Sequence, residues 1–150
     1  MSAPAHYSSP PSLDRVQRAF LGLVGIGLGC LWGAAAWLAP SPEGFGTHQG
    51  LGLPPCTIVQ LTGTRCPSCG MTTSWAWLIR GRPDRSAHAN FGGFLLGLAA
   101  LASCPFTLVT AWRGRWWGFV PDERRMILVL LGIITITLID WAVRRWLVGE

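Results

Sequence analysis

The chain reads as an all-α membrane protein, with three transmembrane helices plus a short amphipathic interfacial helix after a cysteine motif. Hydrophobic residues make up 50% of the sequence and charged residues only 13%, against about 25% charge in ordinary soluble domains. The apolar residues gather into long uncharged runs and do not alternate with polar ones. Nine tryptophans lie mostly near the ends of those runs, where an indole anchors at the membrane–water boundary. Trp32, well inside the first run, is the exception. At 150 residues the chain suits one compact unit.

Residues 1–18, beginning MSAPAHYSSPPS, are rich in Pro, Ser and Ala and read as a disordered tail. A single transmembrane domain then occupies residues 19–147. Its first span covers residues 19–39, which carry no charge and are long enough to cross about 30 Å of hydrocarbon as a helix. A signal peptide would have a shorter apolar core and a basic region nearer Met1. Gly25, Gly29 and Gly33 recur four apart on one face, which lets another backbone approach.

Residues 40–90 hold the cysteine-containing loop and the interfacial helix. The stretch PSPEGFGTHQGLGLPP is irregular by its Gly and Pro content. Residues 57–61 are apolar but too short to span. In MTTSWAWLIR, Met71, Trp75, Leu78 and Ile79 share one helical face, with Thr72, Thr73, Ala76 and Arg80 opposite, as in a helix lying at the membrane surface or against the bundle. Gly81 and Pro83 end it.

The second span covers residues 91–112, with Asn90 as its cap. Gly93 and Gly97 repeat the small-residue spacing and are expected to meet the glycine face of the first span. Pro105 is expected to kink this helix or loosen one turn. The third span covers residues 126–143, and Asp140 is its only charge. Arg144, four residues on, is placed to pair with it near the membrane edge.

All 12 basic residues are arginine, and the formal net charge is +5. The arginines flank the apolar runs and form no interspersed stripe, which argues against a nucleic-acid partner and for anionic lipids. Three spans put the termini on opposite sides. Weighting arginines by nearness to the span ends gives a cytoplasmic N-terminus and an outward cysteine segment.

The chemistry-bearing residues lie in CTIVQLTGTRCPSCG. Cys66 and Cys69 form a C-x-x-C pair, and Cys56 precedes them by ten residues. Two such thiols ligate one metal or close a disulfide. With three thiols in reach, zinc would need a fourth donor from His48, His88, an acidic residue, a partner or water. Pro67 and the helix after it suggest that Cys66 sits at a helix start, where free amides favour a thiolate. Stapling the loop by disulfides, or simple packing of the three thiols, are the structural alternatives. Cys30 and Cys104, inside spans, read as packing residues. Arg65, Arg80, Arg82 and Arg85 give the segment a positive rim, and His88 reads as a surface residue.

Cys56, Thr62-Gly63, the Cys66-Pro67-Ser68-Cys69-Gly70 motif, a short helix, Gly81 and Asn90 together resemble the small bacterial membrane proteins grouped as the DUF2752 family. The resemblance covers residues 56–108. It implies a multi-pass protein of the bacterial inner (cytoplasmic) membrane and marks Cys56, Cys66 and Cys69 as the special residues, with no activity attached. Two family features are replaced: Thr73 stands where an arginine is usual, and Phe91 follows Asn90 where proline is common.

Glycine faces, many tryptophans and the scarcity of acid–base groups near the cysteines point to a non-catalytic accessory or scaffold subunit packed against a larger membrane protein complex. The alternative is a membrane thiol–disulfide or metal-binding protein using Cys56, Cys66 and Cys69, for which zinc is one candidate metal. Soluble enzyme classes find no support: GLGLPP and GIGLG lack the strand–glycine–helix setting of nucleotide loops.

Overall fold

The computed structural model describes residues 12–117 and 120–148. Among them the fold is all-α, and three helices are long and apolar enough to cross a membrane. The chain is a multi-pass membrane protein. Of the tail expected at residues 1–18, residues 1–11 lie outside the described residues, whereas residues 15–18 form the first turn of a helix, because Asp14 caps it there.

The first long helix, α1 (Arg15–Trp37), starts four residues before the expected span. Asp14 closes its N-terminus with a capping box: the carboxylate accepts from the Gln17 amide at 2.7 Å, and the Gln17 side chain accepts from the Asp14 amide at 3.1 Å. The second long helix, α5 (Phe91–Arg113), runs antiparallel to α1. Arg18 near the start of α1 donates to the carbonyls of Ala111 (3.0 Å) and Trp112 (3.3 Å) at the end of α5. Further along, a Cβ on Gly25 would lie 2.6 Å from Leu108. Cys104 Sγ reaches the Gly25 carbonyl at 3.5 Å. Pro105 sits inside α5 without ending it.

The glycine faces are used differently from the expectation. Gly25 alone of its stripe is filled, while Gly29 and Gly33 have nothing within 4 Å of a built Cβ. Gly93 and Gly97 do not meet α1. They receive Met71, Trp75 and Leu78 of α3 (Met71–Leu78), which lies in the space between α1 and α5. The reason is steric: α3 is a third body at that end, and only glycines on α5 leave room for its large side chains.

Four short elements build the lobe between α1 and α5: a 3₁₀ turn (Thr47–Leu51), α2 (Thr57–Thr62), α3, and α4 (Pro83–Ala89). Residues 57–61 thus become a helix, and Pro83 opens a new one as well as following the last. The expectation that α3 would bury its Met71–Trp75–Leu78–Ile79 face and leave the small residues opposite is incomplete. Thr73, Ser74 and Ala76 are fully buried, because their small side chains let α3 touch its neighbours on two sides. Thr73 Oγ1 lies 2.8 Å from Thr47 Oγ1, and Ser74 Oγ lies 2.9 Å from Ser86 Oγ. Trp32 stacks on Trp75, ring centroids 5.0 Å apart, which explains why this one tryptophan lies inside a span.

The third long helix, α6 (Glu123–Val143), capped by Asp122, lies against the start of α5, where Gly92 leaves the space that Thr137 occupies. Most of its apolar side chains are exposed. For a spanning helix, lipid covers such a face as readily as protein does.

Candidate functional site

The cysteine segment lies at the end of the bundle where α1 ends, α5 begins and α6 ends. Gly70 shapes the turn that carries the pair. Its φ is 88°, which favours glycine, and a built Cβ would lie 2.5 Å from the Ala89 carbonyl oxygen and 2.7 Å from that of Gly44. The Cys69 amide donates to the Cys66 carbonyl at 3.0 Å, closing a tight turn.

Asn90 ties this turn to the second span. Its Oδ1 accepts from the Gly93 amide at 2.6 Å, as the expected cap. Its Nδ2 donates to the carbonyls of Pro67 and Cys69, both at 3.0 Å. One buried side chain therefore satisfies a helix terminus and two loop carbonyls. The sequence revealed only the cap, because the loop bonds span more than twenty residues.

Cys56, Cys66 and Cys69 converge. Their sulfur atoms all lie within 4.8 Å of one another, and all three residues are half-buried. The Cys66 and Cys69 sulfurs are 2.9 Å apart as free thiols. Neither His48 nor His88 joins them among the described residues. The His48 ring sits 3.3 Å from the Pro54 carbonyl, and His88 is exposed, as expected.

Placing Cys66 at a helix start requires correction. The helix after the motif begins at Met71, five residues on. The thiol at a helix start is Cys56, the N-cap of α2. The Val59 amide is the first cause holding its pKa below the ordinary value, since amide donors favour the thiolate. Burial, then the bond to Cys66, pushes Cys69 the other way, up to about 12. The two thiols are thus biased oppositely: one toward its anion, the other toward its protonated form.

The expected positive rim is largely engaged within the protein. Arg80 spans the end of α1, donating to Ala35 (3.1 Å), Ala36 (2.9 Å) and Leu38 (2.8 Å) carbonyls, where cations complement the helix dipole. Arg82 pairs with Asp84 at 3.0 Å, and Arg85 lies over Trp77. Arg65 donates to the Glu43 carbonyl and lies over Phe45. Cys104 packs as expected, whereas Cys30 is exposed on the outside of α1.

What sequence reading missed is the contribution of the third span. Trp141 Nε1 donates to the Arg65 carbonyl at 2.7 Å, and Arg145 to Thr64 Oγ1 at 2.9 Å. Arg144 pairs with Asp140 at 3.0 Å, as its spacing predicted, and also donates to the His88 carbonyl at 2.6 Å. A cavity of about 30 Å³ lies between this end of α6 and the cysteine turn. Cys66, Cys69, Asn90, Asp140, Arg144 and Arg145 are among the residues lining it.

Residues 56–103 match the model of the DUF2752 family, described as proteins of unknown function. That range contains the three cysteines, Asn90 and the first half of α5. No curated protein and no solved structure matches the chain.

Proposed function

We propose that this membrane protein binds a thiophilic metal ion through Cys56, Cys66 and Cys69. The observation that carries this reading is the mutual approach of the three sulfur atoms to within 4.8 Å. In a tetrahedral zinc site, Zn–S bonds of about 2.3 Å set sulfurs roughly 3.8 Å apart, so small side-chain rotations suffice. Thiolates are soft donors suited to zinc and copper(I). Zinc is the simplest candidate, and it would cross-link α2 and the turn ahead of α3, two segments with little core of their own. Asn90 and Gly70 serve this role by holding the turn in a ligand-presenting shape.

The test is metal analysis and thiol counting on the full chain, purified reduced in lipid nanodiscs. One equivalent of metal, lost together with its thiol protection in the Cys56→Ser, Cys66→Ser and Cys69→Ser variants, is the expected result. Three freely reactive thiols that take up no added zinc would end the metal reading. A Cys66–Cys69 disulfide that forms and reduces reversibly, without metal uptake, would favour thiol–disulfide chemistry.

A second reading, an accessory or scaffold subunit within a larger membrane complex, is supported by a different feature. Ile127, Leu128, Leu131 and Ile134 of α6 are exposed, and Gly27, Gly29, Gly33 and Gly132 have open space around them. The two readings are compatible. We infer a bacterial inner-membrane location from the family resemblance, and a cytoplasmic N-terminus from the arginines nearest the span ends.

A further inference from the structure

Three thiols leave a zinc-like ion one donor short, since such ions take four ligands. Among the described residues no histidine or carboxylate lies within the sulfur cluster. A small cavity adjoins the cluster, shared by Cys66 and Cys69 with Asn90, Asp140, Arg144 and Arg145. Its volume, about 30 Å³, suits one water molecule or one small anion.

The cavity walls favour an anion. The Asn90 amide group is committed to the Pro67 and Cys69 carbonyls, and Asp140 is held by Arg144. A guanidinium carries five N–H donors, more than the named bonds of Arg144 and Arg145 use. Cations beside a tris-thiolate centre also offset its negative charge. A sealed structural zinc site would show a fourth side chain here, whereas sites that exchange ligands keep one position for solvent.

We propose that the fourth donor is an exchangeable small ligand, water or a monovalent anion, seated in this cavity against Arg144 and Arg145. The proposal rests on the metal reading. It makes the centre an open one, with its free position facing the end of the third span.

The experiment uses the full chain in nanodiscs with cobalt(II) as the metal and azide as the anion. Cobalt bound by three thiolates gives an intense sulfur-to-metal charge-transfer band, and its visible bands report the fourth ligand. Added azide is expected to shift the visible bands saturably while the charge-transfer band stays. Arg145→Gln, at an exposed position, is expected to weaken azide binding by about fivefold, one partly exposed charge contact, with cobalt stoichiometry unchanged. No azide response, or an equal response in Arg145→Gln, overturns the proposal. So does an Asp140→Asn variant with altered visible bands before azide is added, because Asp140 would then be the fourth ligand. Absence of the charge-transfer band in wild-type protein strikes the metal reading itself, a separate outcome.

Discussion

Cys69 carries the sharpest consequence of the local environment. Its thiol is pushed up to about 12 from an ordinary value of 9.0, burial being the larger cause. The raised value stabilises the fold below pH about 9, and that contribution is lost as pH climbs toward about 12. A metal must displace this proton, so metal affinity should rise with pH by about tenfold per unit for each thiol displaced. Competition against a chelator of known affinity, at several values between neutral and mildly alkaline pH, checks this. An affinity flat across that range would remove Cys69 from the donor set.

Helix ends are where this lysine-free chain spends its arginines. Arg18 closes α5, Arg80 closes α1 and Arg144 closes α4. Each is supplied by an element distant in sequence, so each bond joins two elements while it satisfies carbonyls that lipid cannot. The third span, by contrast, is attached mainly at one end. Gly92 is its closest seat, since a side chain there would overlap Thr137. Gly92→Val should displace α6 and cost about 1–3 kcal/mol, as overpacking does. Gly132→Val, with nothing within 4 Å, serves as the control, and thermal unfolding in detergent compares the two. Equal midpoints would mean that α6 is not seated on Gly92.

The single crossing of α1 sets the N-terminus and the cysteine lobe on opposite sides of the bilayer. The antiparallel contacts of α1, α5 and α6 agree with that arrangement. A membrane-impermeant maleimide applied to intact cells, once the outer envelope is permeabilised, should label Cys56 in metal-stripped protein, while a cysteine introduced near the N-terminus stays protected. The opposite pattern would invert the proposed orientation.

The spans and the Asp140–Arg144 pair were legible because each is a local property of composition or of helical spacing. Asn90 showed itself as a cap for the same reason. The cysteine motif identified the candidate ligands, but only the fold brought Cys56 to Cys66 and Cys69, across the α2 helix and its Gly63 turn. The cavity against α6, the seating of α3 on Gly93 and Gly97, and the thiol that meets a helix start all depend on contacts between remote segments. Hydropathy and periodicity register what one stretch of chain prefers in water or lipid. Which stretches then touch is settled by shape and by hydrogen-bond partners elsewhere, so the spans belonged to the sequence and the site to the tertiary structure.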